Sequence, residues 1–190
     1  MLEPDRLQIG DIVFIRISNF LYRRVAEATG GWISHVGLID RREGDDWIVA
    51  ESTFPWSCYT PLAKFLRRSE KGQCAIMRLK SPADAKGGQR LQAEAKTRMR
   101  KMYHLGFDLD SSLQFCSKFV YEVYREALGV NVGTVETFRD LLNKQPDSPQ
   151  TFWKFWFLGR IPWDRRTITP ESQYRSELLQ MIYGDGATIR

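Results

Sequence analysis

Histidine and cysteine are scarce in this 190-residue chain, with two of the first and three of the second, and that scarcity narrows the chemistry open to it. Cys58, Cys74 and Cys116 are odd in number and lack paired spacing, which excludes a disulfide framework and argues for reduced thiols. A reducing compartment, the cytoplasm, is the expected location. None of these side chains, nor His35 or His104, shows the short paired spacing of a structural zinc site, so no metal is expected. No glycine-rich loop follows a strand and ends in Lys-Ser/Thr: Gly30-Gly31 precedes a strand, and Gly87-Gly88 lacks the basic residue. Nucleotide chemistry and a bound cofactor are not expected. A Gly-x-Ser-x-Gly elbow is missing too, which removes the commonest route to a serine nucleophile.

Long apolar runs are also absent, and Met1-Leu2-Glu3-Pro4-Asp5-Arg6 has no basic segment followed by an apolar one. Neither a membrane span nor a leader peptide is expected. No Pro/Gly/Ser-rich linker or low-complexity stretch divides the chain, so 1–190 reads as one domain. Its C-terminal portion, about 150–190, forms an aromatic-rich extension. The net charge of +5 is spread along the sequence rather than gathered in a block, which argues against a specific nucleic-acid partner.

What is present centres on Phe115-Cys116-Ser117-Lys118-Phe119-Val120 and the residues that follow to Gly129. Phe119, Val120, Val123, Ala127 and Leu128 recur at spacings of three and four, and Gly129 supplies a stop, so the spacing predicts one amphipathic helix. Cys116 falls in its first turn, where unpaired N–H groups and the positive end of the helix dipole favour thiolate. At its unperturbed pKa about 3% of a thiol is ionised at pH 7, whereas a fall to about 6 makes it roughly 90% thiolate. A buried cysteine is equally at home as a small hydrophobe. The nucleophilic reading gains from His35, which lies in the strand-like run Ser34-His35-Val36-Gly37-Leu38-Ile39 and would be held rigidly there.

Along the chain, 11–17 reads as a strand and 20–29 as a helix ended by Gly30-Gly31. Strands 34–40 and 46–52, separated by Arg41-Arg42-Glu43-Gly44-Asp45, read as a hairpin. If its turn centres on Glu43, His35 lies directly opposite Glu51 on one face. A carboxylate there would fix the imidazole tautomer and stabilise its cation. Further on, the pattern predicts a helix over 61–68, a strand over 73–79, and a polar helix over 82–103 interrupted at Gly87-Gly88. His104 is expected in an exposed turn, a helix over 135–142, a loop over 145–150 and a terminal helix over 170–183. The densest aromatic stretch, Phe152 to Leu158 with Ile161-Pro162-Trp163, must cover something. It is read either as core against the sheet or the cysteine helix, or as a wall of the cleft beside Cys116.

Four runs in this order, Gly10-Asp11-Ile12-Val13-Phe14, Ser34-His35-Val36-Gly37, Ala50-Glu51-Ser52 and Phe115-Cys116-Ser117-Lys118-Phe119-Val120, make the chain resemble the permuted papain-like cysteine hydrolases. These are relatives of NlpC-type cell-wall peptidases and of lecithin retinol acyltransferase. The likeness to a bacterial member continues through Glu136-Thr137-Phe138, 151–159 and 161–163, and so covers nearly the whole chain. The order His, Glu, Cys is that of the permuted members. The resemblance implies an α+β fold, a small antiparallel sheet packed on helices, with Cys116 as nucleophile, His35 as base and Glu51 as orienting group. Lys118 stands where many permuted relatives carry an acidic residue, a departure that bears on substrate class.

The expected activity is cleavage of an amide, ester or thioester through a thioacyl-enzyme, on a small-molecule, peptide or lipid substrate. The rival readings are a lipid-directed acyltransferase and a binding module that keeps the geometry without turnover. Oligomeric state is not legible.

Overall fold

The computed structural model describes residues 4–145 and 150–184. Its centre is an antiparallel sheet of six strands in the order β4-β3-β2-β1-β5-β8. These are β1 (Ile12–Ile17), β2 (His35–Glu43), β3 (Asp46–Ser52), β4 (Ser57–Pro61), β5 (Ser69–Leu79) and β8 (Leu179–Gly184). The helices are α1 (Phe20–Thr29), α2 (Leu62–Arg67), α3 (Ala85–Thr97), α4 (Cys116–Leu128), α5 (Phe138–Asn143), α6 (Gln150–Trp156) and α7 (Pro170–Tyr174). A two-stranded ribbon, β6 (Val135–Thr137) with β7 (Arg166–Ile168), completes the α+β fold.

Alternation along the strands divides the core. Ile12, Phe14, Val36, Leu38, Ala50, Ala75 and Met77 meet Phe119, Val120 and Val123 of α4 on one sheet face. Val13, Ile15, Ile39, Val49 and Ile76 meet Leu62 and Phe65 of α2 on the other. A third cluster lies beyond the sheet, where Phe115 and Tyr121 of α4 pack with Phe138, Leu142, Trp153 and Ile161.

The hairpin that carries His35 and Glu51 differs from its expected register. Its turn is Gly44-Asp45, with Glu43 opposite Asp46 and Arg41 opposite Ile48. Continued unbroken, that register would set Glu51 across from Leu38, on the wrong face. A β-bulge leaves Asp40 unpaired, so that Ile39 meets Val49 and Leu38 meets Ala50. One residue further on, Glu51 opposes Gly37. His35 is then its diagonal neighbour on the same face rather than its direct partner. Gly37 matters here because a Cβ would stand 2.6 Å from Val49 and 3.1 Å from Phe65. The residue opposite Glu51 therefore has no side chain, and the carboxylate can lean toward His35.

Three other expectations are corrected, and one strand was not expected. The polar helix runs through Gly87 and Gly88 without a break and ends at Thr97. Both glycines are buried; a Cβ on Gly87 would meet Ala83 at 2.8 Å and Leu128 at 3.3 Å, so Gly87 lets α3 come close to α4, while Gly88 faces Ile9. The segment 135–142 divides into β6 and α5 because Thr137 and Asp140 form a reciprocal cap that starts the helix at Phe138. The terminal segment 170–183 holds only one helical turn before Leu179 to Gly184 adds a sixth strand beside β5. Strand β4 was not foreseen, and it pairs with β3 through Glu51–Cys58. The expected loop 145–150 falls mostly outside the described residues.

Candidate active site

Helix α4 begins at Cys116, which places the cysteine in the first turn as its spacing predicts. Its N-cap is Phe115, which offers no capping side chain, and its C-cap is Gly129 in the left-handed region. The first-turn N–H groups are thus left to the cysteine itself. The Ser117 N–H hydrogen bond is one of the forces that lower the Cys116 pKa. The Ser117 hydroxyl is turned away to the Ile168 carbonyl at 2.7 Å, which ties α4 to β7.

His35 opens β2, and both His35 and Glu51 are fully buried. Nε2 of His35 and Oε2 of Glu51 are 2.6 Å apart. The remaining ring nitrogen, Nδ1, has no partner of ordinary hydrogen-bond geometry among the described residues. The interaction of the ring with Cys116 nevertheless shifts both groups. Burial alone would push the imidazole pKa down, but the thiolate of Cys116 and the carboxylate of Glu51 raise it above its ordinary value. Burial alone would push the Cys116 thiol up, and His35, Tyr103 and the Ser117 N–H hold it below the ordinary value. The two shifts favour one arrangement, an imidazolium beside a thiolate.

Glu51 is held on every side. Thr60 Oγ1 donates to its Oε1 at 2.6 Å, and Nη2 of Arg68 lies 2.8 Å from both carboxylate oxygens. Burial raises its pKa, but His35 first, then Arg68 and Thr60, hold it at about 2. The Arg68 guanidinium also lies over the Phe65 ring at 4.7 Å, and Phe65 faces the His35 ring at 5.5 Å. Sequence reading missed Thr60 and Arg68. The apolar-to-polar change along the unforeseen strand β4 and helix α2 was too weak to mark either.

It also missed two phenols. Tyr103 Oη lies 3.9 Å from Cys116 Sγ. Tyr22, from α1, places its ring edge-on to His35 at 5.5 Å, and its phenol interacts electrostatically with that of Tyr103 and with the Cys116 thiol. Burial pushes both phenols well above the ordinary value, so both keep their protons at any physiological pH.

Other singled-out residues stand elsewhere. His104, expected in an exposed turn, is half-buried, and its Nδ1 accepts the Asp108 N–H at 3.2 Å, an intra-turn bond. Lys118 is buried within α4, where its ammonium bonds the Ser111 carbonyl and lies 3.7 Å from Glu122. It braces the segment before the cysteine. Cys58, half-buried on β4, and Cys74, buried on β5, are thiols rather than disulfide partners.

A small apolar cavity of about 30 Å³ adjoins Cys116, bounded by α1, α5, α6 and the chain leading from β7 into α7. The aromatic stretch divides around it. Trp153 is buried and lines the cavity, Phe157 stacks against Trp153, and Phe155 and Leu158 are exposed. The core and cleft-wall readings of that stretch therefore meet in one residue.

With this geometry in view, the comparisons with known proteins agree. The chain is 26% identical over 175 residues, 92% of its length and 85% of the relative's, to the uncharacterized protein YiiX of Escherichia coli (strain K12). The crystal structure of the metalloprotein yiiX from Escherichia coli O157:H7 superposes with a TM-score of 0.86 at 26% identity, covering 94% of this chain and 97% of that one. Among the described residues of this chain, no three His, Cys, Asp or Glu side chains converge as a metal ligand set would. Nor is any described helix long and apolar enough to cross a membrane. The model of the permuted papain-like amidase enzymes, YaeF/YiiX, C92 family, matches residues 6–183, and the chain belongs to that family.

Proposed function

We propose that this chain is a cysteine amidase in which Cys116 is the nucleophile, His35 the base and acid, and Glu51 the group that orients and charges the imidazole. The observation that carries this reading is the 2.6 Å contact of Glu51 with Nε2 of His35. It engages one ring nitrogen and leaves Nδ1 as the proton carrier for the sulfur. The thiolate attacks the carbonyl carbon, and the C–N bond breaks as His35 delivers its proton to the departing amine, leaving a thioester on Cys116. Water then attacks that thioester with His35 taking its proton, which releases the carboxylic acid and restores the thiol.

In the tetrahedral intermediate the oxyanion needs donors. The Cys116 backbone N–H at the uncapped helix start supplies one, and a protonated buried phenol, Tyr103 or Tyr22, is suited to supply another. An acceptor other than water would turn the same intermediate to acyl transfer. Three cysteines outside disulfides suit a reducing compartment, and we assign the protein to the cytoplasm on that ground.

The test is intact mass after brief incubation with activated amides and esters. A single acyl adduct that is lost in Cys116→Ala, and that decays with release of acid, supports the amidase. No adduct with any of them supports a binding module instead.

A further inference from the structure

We infer that the face formed by residues 54–56, 102–105 and 154–160 docks on a membrane surface that carries anionic lipid. The inference does not depend on the catalytic reading. Three observations carry it.

The first is exposed apolar surface gathered in one place. Phe54, Trp56 and Met102 are each more than half exposed, and Phe155 and Leu158 are 81% and 96% exposed. Scattered singly, such side chains would need no explanation, but these belong together. Trp56 forms a β-bridge with Met102, and the Tyr103 N–H donates to the Pro55 carbonyl at 2.9 Å. The Trp156 indole N–H donates to the Leu105 carbonyl at 2.9 Å. Three separate segments are thus bonded into one surface. Helix α6 already buries Trp153, so the core makes no use of Phe155 or Leu158.

The second is charge. The chain has 23 acidic residues in 190, about one in eight, yet 52–69, 95–107 and 148–163 contain none. Exposed Arg100 and Lys101 precede Met102, and exposed Lys154 and Arg160 bracket Phe155 and Leu158. No carboxylate of a described residue forms an ion pair with any of the four. Bulky apolar tips beside unpaired cations complement an anionic headgroup layer lying over hydrocarbon.

The third is the backbone. Arg100 N–H donates to the Ser57 carbonyl and Ser57 N–H to the Lys101 carbonyl, both at 2.9 Å. Leu158 N–H donates to the Phe155 carbonyl at 3.1 Å and Gly159 N–H to the Lys154 carbonyl at 2.7 Å. A protein partner is recognised by hydrogen bonds as well as by carbon, and these donors are already engaged within the chain. A bilayer asks for no such donors and penalises any left open.

The experiment sediments the full chain with vesicles of phosphatidylcholine plus phosphatidylglycerol, and with vesicles of phosphatidylcholine alone. Partitioning should favour the anionic vesicles by about tenfold or more and fall as salt rises. Phe155→Ser with Leu158→Ser should lower it by about 100-fold, and Lys101→Gln with Lys154→Gln by about 30-fold. Because all four side chains are exposed, neither pair of substitutions should move the melting temperature. Leu178→Ser, exposed but outside these segments, should leave partitioning unchanged. On the unaltered chain, lipids with brominated acyl chains should quench tryptophan fluorescence, and Trp56→Phe should lose much of that quenching.

No partitioning into either vesicle, equal partitioning into both, or partitioning that survives Phe155→Ser with Leu158→Ser would each overturn the inference. Self-association that the same two substitutions abolish, without vesicle binding, would also overturn it and give the face to a second copy of the chain.

Discussion

The sheet side and the helix side of the site are built in opposite ways. On the sheet side, Glu51 is fully buried and both of its oxygens are engaged, by His35, Thr60 and Arg68. On the helix side, Cys116 sits at an uncapped helix start against an apolar cavity, with only long contacts such as the 3.9 Å approach of Tyr103. The difference shows where each task is done. A satisfied polar network fixes the imidazole and its charge, whereas the uncapped helix start leaves its N–H groups to the sulfur and to what the sulfur attacks.

Removing the sulfur should break the comparison most. Cys116→Ala is expected to lower amidase or esterase turnover by about 10⁴-fold or more while leaving the melting temperature within a few degrees. A variant that keeps turnover would place the chemistry elsewhere.

Next in size is His35→Ala, expected to cost about 10² to 10⁴-fold in acylation. It should also move the alkylation of Cys116 to higher pH, because only the helix start and the Tyr103 hydroxyl then stabilise the thiolate. An alkylation profile that does not move would remove the imidazole from the mechanism.

Glu51→Gln tests the sheet side. It should slow acylation by about 100-fold, since an amide orients the ring but does not balance its charge. Its effect on stability has a defined sign. The folded pKa of Glu51, about 2, lies below the ordinary 4.5. The stabilisation is therefore fully present above pH 4.5 and lost as pH falls from there toward 2. It amounts to about 3 kcal/mol. Denaturant titrations should show the native chain losing this much across that window and Glu51→Gln losing much less. Parallel curves would mean that the carboxylate is not held as described.

The smallest effect is expected from Arg68→Met, because the guanidinium is 30% exposed and partly screened. A loss under about 1 kcal/mol in unfolding free energy is expected, with Glu51 still held by His35 and Thr60. A much larger loss would mean that the ion pair, rather than the His35 contact, anchors the carboxylate.

What was legible in the sequence follows the range of the forces involved. Helix α4, with Cys116 in its first turn and Gly129 as its stop, depends on spacing and caps that lie within one segment, and it was legible to within a residue at each end. The same holds for α1, whose N-cap Asn19 and C-cap Gly30 are local. The fold class was legible for a similar reason, since the short β-branched and aromatic runs of β1, β2 and β3 are written along each strand.

The pairing of His35 with Glu51 was read on the right face but by the wrong register. It depends on the unpaired Asp40, and a bulge has no one-dimensional signal. Strand β8 was read as helix because its pattern, LQMIYG, acquires strand geometry only beside β5. Thr60, Arg68, Tyr22 and Tyr103 come to the site from four separate segments, and nothing in their spacing joins them. The cavity is less legible still, since it is a space left between α1, α5 and α6.

The central claim is that His35 and the helix start make Cys116 a thiolate at neutral pH, and the most direct test is the rate of iodoacetamide alkylation at each cysteine as a function of pH. Burial pushes the half-buried Cys58 thiol up, so its rate should climb through alkaline pH. Cys116 is only 4% exposed, yet its rate should already be at a plateau below pH 7 and well above those of Cys58 and Cys74. A Cys116 rate that rises with Cys58 through alkaline pH, and never exceeds it near neutrality, would contradict the account.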